Sequence, residues 1–117
     1  MQLVKGKLED YDGLRFSASI NEVYRVIDEA QECGFVFFEF FGTGCGFHTF
    51  ILPSRRTFKT ANNLFEMVKH VAENKKCDSL FTLAKGKIKL ALQRCGKMIS
   101  LDRQTAGYTL MRCGLCR

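Results

Sequence analysis

The chain has 117 residues, of which 46% are hydrophobic and 26% charged, and 18 Lys/Arg against 12 Asp/Glu give a net charge of +6. That length suits one compact domain spanning residues 1–117, and the composition excludes an intrinsically disordered chain. The opening MQLVKGKLEDYDG lacks the apolar core of a signal peptide, and no apolar run approaches the length of a membrane span. A cytoplasmic protein with no membrane partner and with reduced cysteines is expected.

Gln2–Leu8 alternates weakly and predicts an edge strand. Asp10, Asp12 and Gly13 mark a turn, and Leu14–Ala18 a second strand. Ser19 and Glu22 have the spacing of a capping box, and Ile20, Val23, Val26, Ile27 and Ala30 recur at helical spacing. They predict a helix that Gly34 ends in a C-cap position.

Seven of the eleven phenylalanines lie between positions 35 and 50. Phe35–Phe41 and Gly46–Leu52 predict the two strands of a hairpin, with Thr43-Gly44 at its tip and Pro53 as its stop. In that register Phe37 faces Phe50, Phe35 faces Leu52 and Glu39 faces His48. Both faces are apolar, so each needs a cover: helices of the chain, a partner, or bases.

A second helix is expected from about Thr57 to Asn74, with Phe58, Ala61, Leu64, Phe65, Val68, Val71 and Ala72 as its buried stripe. Beyond it, Leu80 to Cys95 fit a helix capped by Asp78 and ended by Gly96. The competing reading makes Lys87–Gln93 a strand. Met98–Leu101 and Tyr108–Arg112 predict a closing hairpin. The sum is an α+β chain with an antiparallel sheet, a βαββα(β), ferredoxin-like order, and a C-terminal helix and hairpin.

Charge is unevenly spread. Residues 1–39 carry four Lys/Arg against eight Asp/Glu, and residues 40–117 carry fourteen against four. Arg55, Arg56 and Lys59 precede or open the second helix, where free amides suit a phosphate. Lys85, Lys87, Lys89, Arg94 and Lys97 form a second cluster, and Phe35, Phe37, Phe41 and Phe50 are candidates for an aromatic surface. Gly34–Phe40 is similar at its aromatic positions to the third-strand signature of RNA-recognition-motif domains. It lacks the leading basic residue and falls one strand early, so no family is assigned.

Two chemical constellations remain. A carboxylate beside an imidazole, Glu39 and His48, suits general acid–base work. Cys113 and Cys116 have zinc-knuckle spacing, with Cys95 as a third candidate ligand, but no second tight pair completes a site. No metal is expected for want of that second pair, and no cofactor, because Gly42–Gly46 joins two strands and not a strand to a helix. These features favour a small basic, non-enzymatic binding protein. Its expected partner is nucleic acid or an acidic protein surface of a nucleoprotein complex, and its apolar sheet face allows a homodimer. The alternatives are a phage-type inhibitor of a host defence complex, resembling anti-CRISPR proteins as a class, and a small toxin-like ribonuclease.

Overall fold

The computed structural model describes residues 1–13, 20–95 and 98–115. The predicted strand Leu14–Ala18, the cap at Ser19, the stop at Gly96, and Lys97 and Cys116 lie outside the described residues. Seven strands run β1 (Gln2–Lys5), β2 (Glu22–Asp28), β3 (Gln31–Phe41), β4 (Gly44–Ile51), β5 (Ser79–Ala84), β6 (Ile99–Thr105) and β7 (Tyr108–Gly114). Helix α1 (Phe58–Asn74) links β4 to β5, and helix α2 (Gly86–Cys95) links β5 to β6. The strands form one sheet in the order β1-β2-β3-β4-β5-β7-β6. Every neighbouring pair is antiparallel except β4 and β5. The chain is α+β with a mostly antiparallel sheet, as expected, but the ferredoxin-like order is wrong.

The first error is the helix expected before Gly34. Residues 22–41 form a β-hairpin instead, β2 against β3. Val23 and Val26 are fully buried, but in different clusters: Val23 with Ile20 and Phe37, Val26 with Val36 and Phe38. Residues three apart in a strand face opposite sides, so a spacing that mimics one helical stripe serves two sheet faces. β-branched side chains favour that pleated setting. The turn is equally disguised. Glu29 and Ala30 both have positive φ, 52° and 63°, the backbone of a two-residue primed turn without its usual glycine.

The β3–β4 hairpin is present, with its register displaced. Gly42 and Thr43 form the tip, Phe41 pairs with Gly44, and Phe37 faces His48, not Phe50. One face of this hairpin carries Val36, Phe38, Cys45 and Phe47, which join Leu64, Phe65, Val68 and Ala72 of α1 in the main core. Phe38 is fully buried there, a placement that contributes roughly 1.5–3 kcal/mol for a side chain of its size. The opposite face is covered in part by the N-terminal segment. A 3-10 turn over Leu8–Tyr11 sets the Tyr11 ring 5.0 Å from Phe35 and 6.0 Å from Phe37.

Helix α1 keeps to the predicted span, and Leu64, Phe65, Val68 and Ala72 of the expected stripe are buried, but Phe58 in its first turn is 54% exposed. Thr57 caps it by accepting a hydrogen bond from the Thr60 amide at 3.1 Å. Residues 79–95 are neither one helix nor a strand over Lys87–Gln93. They divide into β5 and α2, and Gly86, at φ 60°, makes the change of direction. The closing hairpin turns at Ala106 and Gly107, again both at positive φ.

Candidate active site

The site arises where the sheet divides. β4 and β5 pair through only three rungs, Gly44 with Ser79, Cys45 with Leu80 and Gly46 with Phe81. β4 continues to Ile51 alongside β3, and β5 continues to Ala84 alongside β7. The two strands therefore part after Gly46 and Phe81 and leave a fork. At its base the Thr82 hydroxyl donates to the Phe47 carbonyl at 2.7 Å. A side chain there satisfies an acceptor that a ladder amide would otherwise take.

A cavity of about 360 Å³ opens beside the fork, lined by Glu39, Phe41, Gly46, His48, Phe81, Thr82, Leu83 and Leu110. His48 Nε2 lies 3.1 Å from Glu39 Oε1. The pair predicted from sequence is thus formed, diagonally across the hairpin and not directly opposite. Burial lowers the His48 pKa below its ordinary 6.5, and the Glu39 carboxylate offsets this only in part. At neutral pH the ring is an uncharged base held by a carboxylate. The Cys45 thiol on the other face is pushed up to about 12, by burial first and by Cys77 second. It is a poor nucleophile.

The second part of the site is the start of α1. The amides of Phe58 and Lys59 have no intrahelical acceptor, and Arg56 and Lys59 are exposed beside them. Arg56 donates Nε–H to the Ile51 carbonyl at 2.7 Å and sits over the Phe50 ring. Arg94, near the end of α2, lies over Phe58 at 5.9 Å and adds a third cation to this region. Arg55 does not contribute, because it is bound to Asp28 at 3.1 Å and to Gln31. Lys85, Lys87 and Lys89 stand toward the opposite end of α2, with Lys85 over the Tyr108 ring at 4.5 Å. Among the described residues of the second cluster, Arg94 is the one seen to reach the first.

The aromatic candidates separate. Phe37 is buried and Phe35 half-buried, which removes both from a stacking surface. Phe50 is 42% exposed and stacks on Phe35, and Phe41 is 51% exposed beside Phe81. Of the cysteine candidates, Cys113 is half-buried and its thiol donates to the Gly114 carbonyl. The side chain of Cys95, like Cys116, lies outside the described residues. Among the described residues no three His, Cys, Asp or Glu side chains gather as a metal site. Also among them, no helix is long and apolar enough to cross a membrane. Sequence reasoning missed the fork, and with it Phe81, Leu83, Leu110 and Thr82. Parallel pairing between residues 44–46 and 79–81 leaves no local signal.

The fold is that of solved GNAT acetyltransferases. The chain is similar to the N-acetyltransferase PseH of Campylobacter jejuni in complex with acetyl coenzyme A. The two share 20% identity over 92% of this chain and 76% of that one, with a TM-score of 0.66. It is also similar to the GNAT domain of S. lividans PAT, with 10% identity, 94% and 70% coverage and a TM-score of 0.72. Tetrahymena GCN5 gives 15% identity, 94% and 77% coverage and a TM-score of 0.64. No family model matches the chain, and no curated protein matches it.

This fold overturns the reading as a non-enzymatic nucleic-acid binder, together with its inhibitor and ribonuclease alternatives. It also overturns nucleic acid and an acidic nucleoprotein surface as the expected partners. Two structural features agree with this: Arg55 is neutralised within the molecule, and two of the four candidate phenylalanines are core or near-core.

Proposed function

We propose that the protein is an acyl-coenzyme A-dependent acyltransferase that acts on an amine. The observation that carries this reading is the likeness, over 92–94% of the chain, to N-acetyltransferases.

The residues present fit a coenzyme A thioester. Its phosphates need cations and unpaired amides, which Arg56, Lys59, Arg94 and the first turn of α1 provide. Its extended arm needs a slot, and the β4–β5 fork is one. When bound, the thioester supplies an activated acyl carbon. The chain's own work is at the amine. Glu39 holds the proton on His48 Nε2 and steadies the imidazolium that forms when the ring takes a proton from the acceptor.

Isothermal titration with acetyl-CoA tests the reading. Saturable binding is expected, weakened at least tenfold (about 1.4 kcal/mol) in an Arg56→Ala, Lys59→Ala double variant and weakened again by added salt. No binding at millimolar acetyl-CoA would overturn it.

A further inference from the structure

We infer that the acceptor is a small primary amine carried on a flat apolar body. It would bind in the cavity beside the fork, with its ammonium at Glu39 and its body against the wall formed by Phe41, Phe81 and Leu83. The fate of the amine rests on the acyltransferase reading, but its binding does not.

Size sets the first limit. At about 360 Å³ the cavity falls at the low end of the roughly 300–1,000 Å³ typical of small-molecule sites. Composition sets the second. Four of the eight lining residues are large and apolar, and Glu39 carries the sole formal negative charge among them. No Lys or Arg lines the cavity, so the carboxylate of an amino acid or the phosphate of a nucleotide would lie there without a counter-charge. A polyamine would place one ammonium on Glu39 and find no second carboxylate in the lining for the next.

Geometry favours a flat body. The Phe41 and Phe81 rings have centroids 5.6 Å apart and a tilt of 42°, so together they present an angled aromatic wall. Their faces also attract an ammonium that lies beside them. Gly46 forms part of the floor, where an added Cβ would lie 3.4 Å from the Phe41 ring and 3.8 Å from Glu39 Cβ. The missing side chain is part of the space. The cavity also touches the last rung, Gly46 with Phe81, so an amine at Glu39 stands at the mouth of the fork.

The test is titration of the full chain with 2-phenylethylamine, spermidine and L-glutamate, each without any acyl-CoA. 2-Phenylethylamine should bind at least tenfold more tightly than either of the others. Phe41→Ala and Gly46→Ala should each weaken it at least tenfold, while Phe41→Ala leaves acetyl-CoA binding unchanged. Phe41 is half-exposed, so this variant keeps the fold and a null result is informative. Equal or tighter binding of spermidine or L-glutamate, or unchanged phenylethylamine binding in both variants, overturns the inference. The two readings fail separately. Phenylethylamine binding without acetyl-CoA binding keeps the amine pocket and removes the acyltransferase. Acetyl-CoA binding without phenylethylamine binding removes the amine pocket alone.

Discussion

His48 owes its chemistry to two opposed neighbours. Burial disfavours its charged form, Glu39 favours it, and burial prevails, so the ring stays neutral to a lower pH than an exposed histidine. On the proposed acyltransferase reading the neutral form is the base, so amine acylation should rise with pH and level off once His48 has lost its proton. The acid limb of kcat/KM should have its midpoint below 6.5 and vanish in His48→Gln. A midpoint at or above 6.5 would count against His48 as the base. Both residues of this pair were legible in the sequence, although through the wrong register. The true pairing is displaced by two residues, and a displacement of two keeps every side chain on its original face. Gly34 shows the opposite case. It reads as a helix stop, but it is a strand position where a Cβ would collide with the Phe50 carbonyl oxygen.

Among the elements, α1 was the most legible, because a long amphipathic stripe is a local signal. The β2–β3 hairpin was illegible for two local reasons: valines spaced three apart, and a turn built from Glu29 and Ala30. That turn carries strain that a substitution can relieve. Ala30 holds a left-handed φ of 63°, a conformation that costs an L-residue roughly 1–2 kcal/mol. Ala30→Gly should therefore raise the unfolding free energy by about 1 kcal/mol, after the entropy of a freer unfolded chain is set against the relief. Urea denaturation would show it as a higher midpoint at unchanged slope. A lower midpoint would mean that the turn is not the constraint. β5 and α2 were confused because Leu80–Ala84 is too short to declare a period and Gly86 looks like a flaw within a helix.

At the scale of the whole molecule, the acidic first third and the basic remainder are partly joined. Glu22 of β2 binds Lys75 at 2.8 Å and Lys5 at 3.3 Å, and Asp28 binds Arg55 at 3.1 Å. Burial pushes the Glu22 carboxyl up, but the hydrogen bonds from Lys75 and Lys5 outweigh it and hold the pKa below 4.5. A carboxylate with a lowered folded-state value adds stability above its unfolded pKa. That stability disappears as pH falls through the folded value. Urea midpoints measured from pH 6 to pH 3 should fall below about pH 4.5, less steeply in Glu22→Gln. Identical profiles would assign the acid loss elsewhere. Sequence totals record a charge asymmetry but not which charges face inward, and for that reason they overstated the reach of the basic half.

The fork bears on kinetics as well as on shape. Only three rungs join the two halves of the sheet, and Thr82 already occupies the carbonyl that an unzipped ladder would leave unpaired. On the proposed reading, a ligand arm sliding between β4 and β5 would break no strand pairing on its way in, and its arrival would be set by diffusion and by the cations near α1, without a slow opening event. Observed association rates would then climb in proportion to ligand concentration, with no plateau from a hidden closed state.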